Sequence, residues 1–425
     1  MNFLTPTHDR CPLLPLLFVW VILSFPRAFQ ELKLVLLFFV ILDFFLLAFV
    51  RRELAFSQKI LFIYSFPISV GLVGALFGIY NGNSSQAVLD GLKLYLLWSV
   101  LVVLLLNYLI KFNALLIIHY SVILSAITNA AINIPLVFYA YGGTNFFPLW
   151  FEERMSLGVG FHEGYVHIVS HNIGMLLFIV PYLIATVWRT DGRQEMRWVV
   201  WVALAACLLL AALSGRRALW LVVLAVPYLL WILTLISGTK ERVKSYTFLI
   251  VAIYGIPLAA IMLMFITISD HSILTRLITA FSSEDERSTQ SVHLIDSFLR
   301  NPFFGSGFGG VSSYVREPES PWAYELSYHV ILFNFGFFGA GLLIFALFYA
   351  LFNAVRMIRR GIFKDQNGVF PIVLGSAGLL IANYSNPYFG TFDYLFVLGF
   401  LFMLGSLPRD KAGIAPRRSK RVWIS

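Results

Sequence analysis

Apolar runs of about 20 residues, the length that crosses a bilayer as an α-helix, recur along nearly the whole of this chain. Expected spans are 12–28, 34–50, 59–79, 92–110, 114–140, 166–187, 198–213, 218–236, 247–268, 327–353, 370–384 and 391–407. A length of 425 residues would allow two or three soluble domains, but the hydropathy overrides that count. Charged residues make up 12% of the chain and the mean hydropathy is +0.81. Soluble domains carry about twice that charged share. The expected fold is therefore all-α, a polytopic membrane protein of about 12 transmembrane helices. Residues 1–425 form a single membrane domain, with a large loop at 269–326 inserted in it.

The net charge of +9 does not indicate nucleic acid, because the basic residues lie between apolar segments and in the tail. Cys11 and Cys207 are far apart, which argues against a disulfide framework or a thiolate metal site. Pro26-Arg27 follows the first apolar run with no clear small-residue cleavage site, so no cleavable signal peptide is expected.

The connecting loops alternate in charge. One set carries Arg51, Arg52 and Lys59; Lys111; Arg189, Arg193 and Arg197; Lys240, Arg242 and Lys244; Arg356, Arg359, Arg360 and Lys364. The tail adds Arg409, Lys411, Arg417, Arg418, Lys420 and Arg421. The other set includes Asn81–Asp90 and Tyr384–Thr391, which have no basic residue. The positive-inside rule puts the first set and both termini in the cytoplasm. Two long segments then face outward, Tyr141–Tyr165 and Ser269–Leu326.

Ser214-Gly215-Arg216-Arg217 breaks this pattern, with two arginines in a tight outward junction between spans. Arginine at membrane depth is costly and calls for an anionic partner. Its planar fork suits phosphate oxygens. Arg216 and Arg217 either clamp a diphosphate or snorkel to lipid headgroups.

Most of the remaining polar chemistry falls between Glu284 and Gly341. Ser283 and Glu286 form a capping-box pattern, so 285–300 is expected to be a helix. At 100° per residue, Val292, Leu294, Ile295, Phe298 and Leu299 share a broad apolar face. Thr289, Gln290, His293, Asp296 and Arg300 lie opposite. Arg287 sits at the edge of the apolar face and should point toward the protein, where it needs an anion. A ligand, Glu284 or a capping contact could each supply one. The glycines at 305, 307 and 310 match G-x-G-x-x-G, but no strand precedes them and no acidic residue follows at the required spacing. A tight external turn is expected there, not a dinucleotide site.

Glu325, His329, Leu332 and Gly336 fall on one face of the helix expected next. Glu325 is a candidate general base at the interface or a helix-terminal acid favoured by the macrodipole. His329 is a candidate interior hydrogen-bonding residue, and Trp322, Tyr324 and Tyr328 are aromatics at the same interface. Gly336 and Gly339 fit close helix packing. His162, Glu163, His167 and His171 lack the H-E-x-x-H pattern, and D-x-D pairs are absent, so no metal or other cofactor is expected.

Taken in order, these motifs resemble the superfamily of O-antigen ligases and O-antigen or exopolysaccharide polymerases of bacterial inner membranes. Ser214-Gly215-Arg216-Arg217-Ala218-Leu219 looks like its serine–arginine junction. Arg287, then Pro302 and Gly305-Ser306-Gly307, is similar to its arginine–helix–Pro-x-x-Gly-x-Gly block. Glu325 to Gly336-Phe337-Phe338-Gly339 has the spacing of the segment that follows. The resemblance covers residues 198–350 closely and the rest only as span count. Ligases of the family carry a histidine at the position of Glu325, whereas polymerases often carry Glu there with Tyr three positions later, as Glu325 and Tyr328 do. The resemblance thus points to a polymerase more than a ligase.

The resemblance implies a GT-C-like, metal-independent, inverting glycosyltransferase at the periplasmic face of the inner membrane. Its donor would be a glycan on undecaprenyl diphosphate, and its acceptor a new lipid-linked repeat unit. A chain-length regulator would be a partner. Arg216, Arg217 and Arg287 would stabilise the departing diphosphate. Glu325 would take the acceptor proton, and Tyr324, Tyr328 and Trp322 would stack on sugar rings. The nearer alternative is a ligase acting on lipid A–core or protein. A transporter or flippase is more remote, since the sequence shows no internal repeat.

Overall fold

The computed structural model describes residues 12–52, 56–140, 144, 146–162, 165–189, 197–214, 216–237, 286–359, 368–384 and 386–407. The expected span at 247–268, both termini and the start of the 269–326 loop lie outside the described residues.

The chain is an all-α, multi-pass membrane protein. In order, the helices are α1 (Leu13–Ser24), α2 (Gln30–Val50), α3 (Gln58–Tyr80), α4 (Ser85–Lys111) and α5 (Ala114–Ala140). A short α6 (Leu149–Met155) and the antiparallel pair β1 (Gly158–His162) and β2 (Tyr165–Val169) follow. Then come α7 (Leu176–Arg189), α8 (Arg197–Leu213), α9 (Arg217–Ser237), α10 (Glu286–Arg300), α11 (Ser327–Arg359), α12 (Val369–Ala382) and α13 (Phe392–Met403). Among the described residues six helices are long and apolar enough to cross a membrane, and five shorter apolar helices accompany them. Pro67, Pro135, Pro181 and Pro227 lie within helices, as neighbouring helices in a membrane bundle permit.

A central core is built from α1, α5, α7, α8, α12 and α13, with Phe178, Tyr182, Phe370, Phe396 and Phe400 fully buried. The outer faces are apolar as well. Leu34, Val35, Phe38, Phe39, Phe45 and Phe49 of α2 are all exposed. An apolar solvent accounts for both, so the bundle's surroundings are a lipid bilayer.

The expected loop sets gather at two ends. At one, Lys59 Nζ donates to Gly405 O at 2.6 Å, Ser57 Oγ to Ser406 Oγ at 2.7 Å, and Arg359 Nε to Ile236 O at 2.6 Å. At the other, Asn81 and Asn83 donate to Ser306 O, each at 3.0 Å. We call the second the outer end, a label that follows the orientation expected from the positive-inside rule.

Three expectations need correction. The span expected at 166–187 is not helical at its start. β2 and a 3₁₀ turn, Asn172–Met175, precede α7. The helical register of Glu325, His329, Leu332 and Gly336 does not exist, because α11 begins at Ser327 and Gly336 is non-helical, at φ 62° and ψ −167°. The polar and apolar faces of α10 are also partly exchanged. It buries Gln290, Leu294, Ser297 and Phe298 and exposes Val292, Ile295 and Leu299. The inner side of α10 meets a mixed protein surface, where Gln290 accepts two backbone N–H groups, so a wheel that assumes an apolar inner face misplaces them.

Candidate active site at the outer end

The break in α11 is stabilised by the glycine loop. Phe337 N donates to Pro302 O at 2.7 Å and Phe338 N to Phe303 O at 3.0 Å. In return Ser306 N donates to Phe333 O at 2.8 Å and Gly307 N to Asn334 O at 2.9 Å. Four backbone groups freed by the break therefore find partners in the loop. Gly307, at φ 73°, lies against the α3 backbone at Phe77–Gly78, where a Cβ has no room. The loop ends in Phe308, buried among Gly74, Gly78, Gly91, Tyr95 and Phe335. The tight turn expected of the glycines, with φ of 71°, 73° and 77° at Gly305, Gly307 and Gly309, is thus also a wedge between α3, α4 and α11.

On this support sits an ion network. Arg287 Nε donates to Glu325 Oε2 at 2.8 Å, and Arg316 Nη2 to Glu325 Oε1 at 2.8 Å. Arg316 Nε also reaches Glu286 Oε1 at 3.3 Å, and Tyr314 OH donates to the same oxygen at 2.9 Å. Gln290, buried on α10, accepts the N–H groups of Glu325 and Leu326 at 3.0 and 3.1 Å. The backbone and carboxylate of Glu325 are therefore both fixed. Each carboxylate oxygen retains acceptor capacity beyond its one guanidinium.

The other expected residues divide. Tyr324 is buried, with its ring edge-on to Phe333 and its hydroxyl accepting the Ser312 N–H, so it has no face for a sugar. Tyr328 OH donates to Leu380 O on α12, and Trp322 is half-buried in the turn before Glu325. His329 does not reach Glu325 by a hydrogen bond. Its Nε2 pairs with Ser291 Oγ at 2.9 Å and its Nδ1 is buried without a partner. Glu284 lies outside the described residues, and the anion that Arg287 meets is Glu325.

Arg216 belongs to a different neighbourhood. Its Nη2 reaches Ser170 O at 3.5 Å and its backbone N–H donates to Ser214 Oγ at 3.2 Å. Arg217 opens α9 and is exposed. The fields of Arg27, Lys33, Arg216 and Asp393 converge on the His171 ring, which pairs with Ser156 Oγ at 3.0 Å. Side chains of His162, Glu163 and His167 lie outside the described residues. Among the described contacts none joins Arg216 to Arg287 or Glu325. The turn after α12 lies between the two sets, with Ser327 Oγ and Phe389 N both donating to Asn383 Oδ1.

Sequence reasoning missed Arg316, Gln290, Arg27 and Lys33. Arg316 sits in an irregular segment with no periodicity to place it. Arg27 and Lys33 did leave a signal, since both stand between the first two apolar runs, a stretch expected to face outward, against the charge bias of the loops.

No protein-family model and no curated protein matches this chain.

Proposed function

We propose that the chain is a glycosyltransferase that polymerises lipid-linked polysaccharide repeat units. It transfers the growing glycan from undecaprenyl diphosphate to the sugar of a new lipid-linked unit at the periplasmic face of a bacterial inner membrane. The observation that supports this most is Glu325, a carboxylate fixed by two guanidiniums and by Gln290 at the outer end of a membrane bundle. That is an arrangement suited to a base that must be ionised and aimed.

In the reaction the acceptor hydroxyl oxygen attacks the anomeric carbon of the donor. The bond from that carbon to the diphosphate oxygen breaks, and the hydroxyl proton passes to Glu325. Direct displacement inverts the anomeric centre. Arg216 stabilises the negative charge that develops on the leaving diphosphate, while Arg287 and Arg316 are positioning residues for Glu325. Neutralisation by guanidinium needs no metal ion.

One observation favours the ligase alternative. His329 is on the same wall, and its buried Nδ1 lacks a partner. Purified protein in lipid nanodiscs, given lipid-linked repeat units alone, should build a polymer ladder. Product only when lipid A–core is added would establish the ligase instead, and movement of the lipid without any new glycosidic bond would reject both.

A further inference from the structure

Several charges at the outer end are matched within the protein. Lys33 Nζ donates to Asp393 Oδ1 at 2.8 Å with both side chains buried, and Arg287 and Arg316 both meet Glu325. Much of what α10 leaves uncovered at this end is apolar. Val292 and Ile295 are exposed, and Leu299 is 63% exposed. Just past the end of the helix, Phe304 is exposed and Phe303 is 71% exposed. Large apolar side chains in that condition, gathered on one surface, mark something that covers them.

The helix has three sides. At 100° per residue, Gln290, Leu294, Ser297 and Phe298 share the buried side. Arg287 and Ser291 stand at its edge and hold Glu325 and His329. Thr289, His293, Asp296 and Arg300 make a polar side. There Arg300 Nη2 donates to Asp296 Oδ2 at 2.8 Å, and His293 Nδ1 pairs with Ser313 Oγ at 2.7 Å. Val292, Ile295 and Leu299 make the third side, apolar and exposed, between the other two. A helix at the edge of a protein in water needs only two sides. A protein side, a wet side and an exposed apolar side together fit a helix at the boundary of water and lipid.

The neighbours of α10 put it at that level. From Phe337 to Arg356 α11 carries no charged residue. That stretch rises about 28 Å at 1.5 Å per residue, close to the ~30 Å thickness of a bilayer's hydrocarbon. With Arg356 at one edge of the hydrocarbon, Phe337 stands at the other. α10 runs beside the start of α11 toward this edge. Arg287 meets Glu325, Ser291 meets His329, and the Phe298 ring lies 5.0 Å from that of Phe337. The apolar surface is continuous there. The Phe304 ring stacks on Phe77 of α3 at 5.4 Å and contacts Phe338 of α11 at 5.7 Å. Leu76 and Ile79 of α3, with Phe337 and Phe338 of α11, are exposed on the outer faces of the bundle. The exposed side of α10 extends the surface that these membrane helices turn to lipid.

We propose that α10 is seated in the leaflet at the outer end. The side carrying Val292, Ile295 and Leu299, together with Phe303, lies among the phospholipid acyl chains just below the headgroups, and the side carrying Thr289, Asp296 and Arg300 lies in the headgroup water. The inner side of the same helix holds the Glu325 carboxylate through Arg287 and its backbone through Gln290. The lipid therefore sets the height of Glu325 over the membrane surface. What that height does for catalysis rests on the glycosyltransferase reading; the seat in the leaflet does not.

The test places a nitroxide on the full-length protein in phosphatidylcholine nanodiscs. The labelled variants are Ile295→Cys, Leu299→Cys, Phe303→Cys and Thr289→Cys, one at a time, with Cys11→Ser and Cys207→Ala removing the native thiols. Collisions with oxygen, which partitions into lipid, and with a nickel chelate, which stays in water, give the depth. The labels at 295, 299 and 303 should read about 5–10 Å below the headgroup boundary, the depth of an interfacial helix's apolar side, and the label at 289 should read water. In the wild-type protein, a phosphatidylcholine with a diazirine high on its acyl chain should crosslink to residues 292–304, a result that needs no variant. The seat is overturned if the three apolar positions meet the nickel chelate as freely as position 289 does. It is also overturned if they are shielded from both reagents, as under a second copy or a partner protein, or if the wild-type protein is not crosslinked there. A protein with these depths that makes no polymer keeps the seat and loses the polymerase, and a polymerase whose labels read water loses the seat.

Discussion

Replacing Glu325 by glutamine separates a chemical role from a structural one, because the two have different sizes. Glu325 accepts one charge-assisted hydrogen bond at each oxygen, both at 2.8 Å. Such bonds are worth about 1.5–3 kcal/mol when sheltered. Here the Glu325 side chain is 22% exposed, Arg316 31% and Arg287 42%. Screening at that exposure lowers each to about 1 kcal/mol. Glutamine keeps one acceptor oxygen and turns an NH₂ group toward the other guanidinium, so the fold loses about 1–2 kcal/mol. Removing a general base instead costs about 10²–10⁴-fold in rate. In lipid nanodiscs with lipid-linked repeat units, Glu325→Gln should therefore abolish the polymer ladder while the protein stays monodisperse and still binds substrate. Arg316→Gln, which leaves the carboxylate but removes one anchor, should cost about tenfold. His329 bonds to Ser291 on α10 and not to Glu325, so His329→Ala should cost less, and His329→Gln less again. An active Glu325→Gln beside a dead His329→Gln would refute the assignment of the base and return the protein to the ligase class.

Other outcomes follow from the same geometry. An impermeant thiol reagent should label Glu319→Cys in intact cells and leave Lys411→Cys unlabelled; the reverse pattern overturns the orientation. Arg216→Lys should lose most polymerase activity because an ammonium lacks the guanidinium fork, and EDTA should leave the wild-type rate unchanged; strong inhibition rescued by Mg²⁺ would mean a metal-dependent enzyme. Gly336→Ala places a side chain at φ 62° against the Phe303 carbonyl, a backbone cost of about 1–3 kcal/mol before any clash, and should lower the melting temperature more than Gly341→Ala, where a Cβ meets open space. Lys33→Met and Asp393→Leu each leave a buried charge unpaired and should cost about 3–5 kcal/mol, whereas the double substitution should recover most of the folded yield.

The membrane fold was legible because its cause is local. A run of apolar residues long enough to span a bilayer needs no tertiary information to become a helix there, and the alternation of Lys and Arg predicts which loops gather at the same end. The link between Arg287 and the outer end of the bundle was legible for a related reason, since its place on the α10 wheel turns it toward the protein. What could not be read was the partner. Glu325 comes 38 residues later, and nothing in either segment's periodicity joins them. The polar face of α10 was misread because amphipathicity assumes one apolar side and one wet side, and Gln290 is buried to hold two backbone N–H groups. Tyr324 looked like a sugar platform by position alone, yet the Ser312 N–H claims its hydroxyl.

The order of motifs from Arg287 to Gly336 makes physical sense as the fixings of one short segment. After the break at Gly336, the part of α11 from Phe337 to Arg359 is about 34 Å long at 1.5 Å per residue, which crosses a bilayer unaided. The preceding turns, Ser327–Phe335, are therefore released from the register of the span. Their position is set from outside the helix. Ser306 and Gly307 bond the carbonyls of Phe333 and Asn334 on one side. Gln290, Leu294 and Ser291 of α10 hold Glu325, Leu326, Phe333 and His329 on the other. Pro302 and Phe303 take up the N–H groups that the break exposes, and Gly336 permits the break. A continuous helix would have carried Glu325 on a face dictated by the buried span below it. A segment pinned by its own loop can aim a carboxylate independently, so the glycines and the proline contribute to Glu325 without coming near it in sequence.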